Sequence, residues 1–174
     1  MHYGQIIHYD TANGPGFRVS LFVSGCSNHC KGCFQPETWD PNFGKEFTIE
    51  TEDKIISLLK EPQHGGRITI LGGDPFETYN QRDVSRLIDR ICNELPKKNI
   101  WMYTGYLYEN LIDPNNHIHT EYTDNILDKI DVLVDGPFKI EEKVLLSLFI
   151  FISHKEDTSV QFSPSVKLPL VLIA

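Results

Sequence analysis

The chain has 174 residues, 40% of them hydrophobic, with 16 basic and 24 acidic side chains and a formal net charge of −8. That suits one domain with its own core and speaks against a nucleic-acid binder, which shows a basic face. The start Met-His-Tyr-Gly lacks the features of a secretory leader, and the longest apolar run, Val144 to Ile152, falls short of the ~20 residues that span a bilayer; a soluble, cytoplasmic protein is expected.

In chain order, Arg18–Val23 is rich in β-branched and aromatic residues and ends at Ser24-Gly25, which predicts a buried strand. It leads into Cys26-Ser-Asn-His-Cys30-Lys-Gly-Cys33. Glu52–Lys60 reads as a short helix, acidic at its start and followed by Pro62. Arg67–Leu71 is a second strand, broken by Gly72-Gly73-Asp74-Pro75. Val84, Leu87, Ile88, Ile91, Cys92 and Leu95 then form a helical stripe closed by Pro96. Lys97-Lys98 reads as a solvated cap of that helix. Ile100–Tyr103 is a third strand stopped at Thr104-Gly105. A weaker helix near Asn125–Lys129 precedes a fourth strand, Asp131–Val134, stopped at Asp135-Gly136-Pro137.

Strands alternating with helices predict βαβ units and a parallel sheet. In such sheets ligands collect at the carboxyl ends of the strands. Each special loop follows a strand, so the order of elements gathers the cysteines, Gly-Gly-Asp-Pro, Thr-Gly-Tyr and Asp-Gly-Pro at one rim.

The C-x3-C-x2-C spacing of Cys26, Cys30 and Cys33 suits three corners of a four-iron cluster, which ordinarily takes four cysteines. One iron would then stay open to a small molecule. A Cys3His zinc site using His29 is the alternative, although the His29 ring would have to fold back onto the metal bound by its neighbour Cys30. A disulfide framework is disfavoured in an intracellular chain. Cys92 lies on an apolar helix stripe and is expected to be a small buried hydrophobe. His117 and His119, beside Asn115-Asn116, read as a solvated loop.

The cysteine motif followed by Phe34 resembles the signature of radical S-adenosylmethionine enzymes. Asn13-Gly-Pro-Gly-Phe-Arg18 is similar to a segment of the enzymes that activate glycyl-radical partners. Cys33-Phe-Gln-Pro-Glu-Thr-Trp39, Leu71-Gly-Gly-Asp-Pro-Phe76, Trp101-Met-Tyr-Thr-Gly-Tyr106 and Val134-Asp-Gly-Pro-Phe138 resemble one branch of these, the activators of anaerobic ribonucleoside-triphosphate reductase. The likeness covers roughly residues 1–143.

The resemblance implies an α/β fold, a partial (incomplete) parallel β/α barrel of the radical S-adenosylmethionine type. It implies a [4Fe–4S] cluster on Cys26, Cys30 and Cys33, with S-adenosylmethionine chelating the open iron. One electron from an external donor cleaves the cofactor to methionine and a 5′-deoxyadenosyl radical. That radical takes a hydrogen atom from a glycine of the reductase large subunit. Gly32, Cys33 and Phe34 would lie against S-adenosylmethionine, with Phe34 limiting water; Asp74 would accept from its ammonium, and Gly72 and Gly73 would permit close approach. No nucleic acid or membrane partner is implied. An activator of another glycyl-radical enzyme, such as formate acetyltransferase, is a near alternative, and a noncatalytic Cys3His zinc module is an alternative of a different class. After Lys143 the likeness ends. Residues 144–174 lack the polar arginine segment usual there and are expected to form a divergent tail, one strand followed by irregular chain.

Overall fold

The computed structural model describes residues 1–140 and the backbone of three short pairs, 148–149, 152–153 and 167–168. The expected boundary after Lys143 and most of the tail lie outside the described residues. Strand β1 (His2–Asp10) forms an antiparallel hairpin with β2 (Arg18–Val23). The loop between them is too short for the crossover of about a dozen residues that a parallel return requires. A short 3-10 turn (Pro36–Trp39) and β3 (Lys45–Glu46) precede α1 (Ile49–Leu59), β4 (Arg67–Gly72), α2 (Thr78–Glu94) and β5 (Asn99–Tyr103). Next come α3 (Tyr108–Ile112), α4 (Thr123–Lys129), β6 (Val132–Val134) and the two-residue strands β7 (Leu148–Phe149), β8 (Ile152–Ser153) and β9 (Lys167–Leu168).

The main sheet has the order β3-β1-β2-β4-β5-β6-β8. Strands β2, β4, β5 and β6 are parallel neighbours, whereas β1, β3 and β8 join antiparallel. The expected wholly parallel sheet is therefore mixed. Among the described residues it is also open, with β3 and β8 at its edges. The parallel centre sends the loops after β2, β4, β5 and β6 to a common rim.

One face of the sheet packs under the helices. Val19, Leu21, Ile68, Ile70, Ile100 and Met102 meet Ile55, Leu59, Val84, Leu87, Ile88 and Ile91 in one core. Helix α1 starts before the expected Glu52 because Thr48 caps it: the Thr48 hydroxyl accepts from Thr51 N, and Thr51 accepts in return. This is a capping box with Thr where Glu or Gln is usual. Glu52 itself is fully buried. Arg86 Nε donates to it at 2.7 Å and Arg90 Nη1 at 3.3 Å, which locks α1 to α2. Cys92 sits at the edge of the α2 stripe and is only partly buried, contrary to expectation. Lys98 is no free cap, because its Nζ donates to Lys129 O at 2.9 Å.

On the other face Arg18 is completely buried. Its Nε donates to Thr69 Oγ1 at 2.7 Å, Nη1 to Asn99 Oδ1 at 2.8 Å, and Nη2 to the carbonyls of Ile68 at 2.6 Å and Asn99 at 3.0 Å. The guanidinium also lies over Trp101, 5.2 Å from the ring centroid. Burial pulls its pKa down to about 10, so it stays cationic at neutral pH. Arg18 thus joins β2, β4 and β5 near their amino ends, and Thr69 Oγ1 passes the network on to Asn13 O at 2.8 Å.

Candidate iron–sulfur site

At the carboxyl ends of β2 and β4 the two loops bond to each other through their backbones. Gly73 N donates to Val23 O at 2.7 Å and Asp74 N to Gly25 O at 2.8 Å. A Cβ on Gly73 would lie 2.4 Å from Gly25 O, and Gly72, at φ +109°, has Phe22 Cα 2.8 Å from where its Cβ would stand. These glycines permit the contact between the two loops. The chain returns on the far side of the cysteine loop, where Gly25 N donates to Thr38 O at 2.7 Å and Cys26 N to Trp39 O at 3.3 Å. Asn80, buried on α2, donates from Nδ2 to both Ser24 O and Asp74 O at 2.9 Å.

Between these supports, Cys26, Cys30 and Cys33 are all unpaired and partly exposed. Cys33 N donates to Cys30 O at 3.1 Å, closing a turn through Gly32. Gly32 has φ +76°, and a Cβ there would stand 2.4 Å from Ile140 Cδ1. His29 has its ring against Trp39 at a centroid distance of 4.7 Å, an aromatic contact that occupies the proposed fourth zinc ligand. Among the described residues the three thiols are not gathered within 4.8 Å of one another as a set for a single ion, whereas another trio of side chains is. Tetrahedral zinc–thiolate sites need sulfurs about 4 Å apart. Three soft thiolates on one loop are the donor set that iron–sulfur clusters take. Phe34, 60% exposed, packs against Phe138 of the fourth loop at 5.1 Å, so it bridges two rim loops.

Asp74 is fully buried. Its Oδ1 accepts from Phe76 N at 3.0 Å and Thr104 Oγ1 at 2.8 Å. Its Oδ2 accepts from Asn28 Nδ2 at 3.0 Å and Gly105 N at 2.9 Å. One carboxylate therefore ties together the loops after β2, β4 and β5. Burial nevertheless pushes its pKa up to about 6, against the lowering effect of these donors. Glu77, three residues on, is nearly buried. Its Oε1 accepts from Ser27 N at 2.6 Å, Ser27 Oγ at 2.7 Å and Tyr106 OH at 3.0 Å. The fourth loop joins through Tyr108 N, which donates to Asp135 Oδ2 at 2.8 Å. Burial raises the pKa of the Cys26 thiol, and the charges of Asp74 and Glu77 add to that. Iron is the cation that would offset both, since a metal-bound thiol is deprotonated.

All four expected loops thus converge on one rim, and Cys26, Cys30, Cys33, Phe34 and Asp74 lie there together. Sequence reasoning missed Glu77, Ser27, Asn28 and Tyr106. The available signal was the Glu that follows Gly-Gly-Asp-Pro by two residues at the start of a helix. Of the two loop histidines, His119 Nδ1 bonds Leu111 O at 2.7 Å, and His117 lies edge-on to Tyr106.

Three thiols on a rim loop, braced by buried carboxylates of the neighbouring loops, give this α/β protein a candidate iron–sulfur site. Residues 12–155 match the family described as 4Fe-4S single cluster domain. The chain is 42% identical over 143 residues to the anaerobic ribonucleoside-triphosphate reductase-activating protein of Vibrio cholerae, covering 82% of this chain and 87% of that one. It is 43% identical over 139 residues to the protein of that name from Salmonella typhimurium (79% and 85% covered). To the one from Enterobacteria phage T4 it is 34% identical over 139 residues (80% and 82%). The chain belongs to the family of anaerobic ribonucleoside-triphosphate reductase-activating proteins. Among the described residues no helix is long and apolar enough to cross a membrane.

Proposed function

We propose that this protein is a cytoplasmic radical S-adenosylmethionine oxidoreductase that installs a glycyl radical on the large subunit of an anaerobic ribonucleoside-triphosphate reductase. In this reading the open sheet is the incomplete barrel of such enzymes, and Cys26, Cys30 and Cys33 hold a [4Fe–4S] cluster. When bound, that cluster supplies the one-electron reductive cleavage of S-adenosylmethionine, drawing on an external electron donor. The observation that carries the reading is the convergence of the cysteine loop with the loops after β4 and β5 on Asp74 and Glu77.

The chain's own residues prepare the site. Asn28 Nδ2 sits between Asp74 Oδ2 at 3.0 Å and Cys26 Sγ at 3.7 Å, so one amide orients both a cluster thiol and the carboxylate. Asp74 already receives four donors, and the Asn28 amide, which comes from the partly exposed cysteine loop, is the one that would yield its place to the methionyl ammonium of bound S-adenosylmethionine. A cationic ammonium against a carboxylate is the stronger bond of the two. Ionised Asp74 is then needed, and at neutral pH it is above its pKa of about 6. Gly32, Cys33 and Phe34 would line the outer edge, where the Phe34 ring packs on Phe138.

The test is anaerobic reconstitution with iron and sulfide, followed by addition of reductant and S-adenosylmethionine. Formation of 5′-deoxyadenosine, and of a glycyl-radical resonance on a co-purified reductase but not on a formate acetyltransferase, is the expected result. A protein that holds four irons yet cleaves no cofactor would refute the enzymatic reading.

A further inference from the structure

At the opposite rim, near the amino ends of the parallel strands, a second group of ligand-type side chains gathers. His8 lies near the end of β1, while Glu61 and His64 lie in the connection from α1 to β4. One donor atom from each of the three lies within 4.8 Å of the others. His8 Nε2 is 3.1 Å and His64 Nε2 is 3.9 Å from Glu61 Oε2. Tyr9 OH donates to that same oxygen at 3.0 Å, and the Tyr9 ring stacks on His64 at 4.8 Å.

His64 is the telling member. Its side chain is fully buried, yet Nε2, which faces Glu61 Oε2 at 3.9 Å, has no hydrogen-bond partner. A buried polar group without a partner is costly and calls for an explanation such as an unplaced ion. One orphaned ring nitrogen points to a missing neighbour, and His8 and Glu61 supply the rest of a coordination sphere.

We propose that His8, Glu61 and His64 form a second metal site that binds one divalent cation of the zinc type. Zinc takes nitrogen at 2.0–2.1 Å and carboxylate oxygen at 2.0–2.2 Å, which in a tetrahedron places ligand atoms roughly 3.3–3.5 Å apart. The distances of 3.1 and 3.9 Å bracket that value, so modest side-chain rotation completes the site. Two imidazoles select a borderline-soft ion over calcium or magnesium. Burial favours the neutral, ligating form of His64. His8 and Glu61 keep side-chain exposures of 39% and 36%, which leaves the ion a route in from solvent. The fourth position falls to the Tyr9 hydroxyl or a water. The ion would clamp β1 and its hairpin to the α1–β4 connection, at the far end of the strands from the cysteines.

The experiment uses the full chain carrying its reconstituted cluster, so that the cysteines are occupied, dialysed against zinc buffered by a chelator. Metal content is read for iron and zinc separately. The expected result is one zinc per chain at micromolar or lower free zinc, with iron content unchanged. His8→Asn and Glu61→Gln should each weaken zinc retention at least tenfold while keeping full iron content; both side chains are part-exposed, which avoids the misfolding risk of replacing His64. A chain with Cys26, Cys30 and Cys33 all changed to Ser should still retain the zinc. Added zinc should raise the thermal midpoint of the wild type and leave His8→Asn unmoved. The proposal is overturned if the wild type holds no zinc under these conditions, if the two variants hold it as well as the wild type, or if retention follows the cysteines instead.

Discussion

Replacing Asp74 by Asn separates the two effects that compete at the centre of the rim. The carboxylate is buried, and its pKa rises from the ordinary 3.8 to about 6. Folded protein therefore holds this proton more tightly than unfolded chain, so stability from this group is greatest below about pH 4. It is lost as pH climbs from 3.8 to about 6 and is level above that. The difference between those values corresponds to ~3 kcal/mol at ~1.4 kcal/mol per pH unit. Asn removes the charge and with it this penalty. Its amide has one oxygen and one NH2 to set against four donors. The best placement puts the oxygen toward Asn28 and Gly105 and the NH2 toward Thr104, whose hydroxyl can accept. Phe76 N, now 3.0 Å from Oδ1, is then left facing a donor, at a cost of about 1–3 kcal/mol. Loss and gain nearly cancel, so Asp74→Asn should fall within about 1.5 kcal/mol of the wild type at pH 7. Relative to the wild type it should lose ~2.4 kcal/mol on going from pH 7 to pH 4. Urea unfolding of both metal-free proteins across that range measures the difference, in which other titrating groups cancel. A difference that stays constant with pH would refute the burial argument. In the cluster-loaded protein the same change should weaken S-adenosylmethionine binding by one to two decades, the value of a charged hydrogen bond of about 1.5–3 kcal/mol. Unchanged affinity would remove Asp74 from the cofactor contact.

Changing Cys26, Cys30 or Cys33 to Ser should each abolish the brown chromophore and iron retention, whereas Cys92→Ser keeps both; an iron assay after desalting distinguishes them, and bleaching by Cys92→Ser alone would overturn the ligand assignment. Glu77→Gln keeps the shape but weakens the acceptor for Ser27 and Tyr106, so the cysteine loop should loosen and release iron to a chelator several-fold faster, with little change in urea midpoint. Arg18→Met leaves two backbone carbonyls, Thr69 and Asn99 without their buried donor and should cost at least about 1–3 kcal/mol, the penalty for even one unsatisfied buried acceptor, read as a fall in urea midpoint; a loss under 1 kcal/mol would show that the network is dispensable.

How far the sequence was legible follows from the range of the interactions involved. The strands Arg18–Val23 and Arg67–Leu71 were readable because β-branched runs ending at glycine are local signals, and the structure places them there with at most one residue added. Strand β1 was not readable. Its sequence His-Tyr-Gly-Gln-Ile-Ile-His-Tyr-Asp is interrupted by Gly4, and its pairing with β2 shifts register beside that glycine. It becomes a strand because β2 offers it an edge. The capping pair Thr48 and Thr51 was missed because it departs from the usual Ser/Thr and Glu/Gln pattern. At the site, cysteine spacing is covalent and local, so the three thiols could be named without coordinates. Asp74 was visible as chemistry but not as geometry: only folding brings it to Asn28 and Gly105, 46 and 31 residues away. Glu77 reads in sequence as an ordinary acidic residue at a helix start, where the dipole alone would justify it. Its three hydrogen bonds across the rim give it a different purpose. The same reasoning applies to His8, which stands 53 residues before Glu61 and so forms no recognisable metal motif with Glu61 and His64. Their meeting depends on β1 turning back along β2, the one central pairing that local pattern did not reveal. What sequence discloses here is the chemistry that short motifs carry, and what folding adds is the set of carboxylates and histidines that the crossovers bring to each end of the sheet.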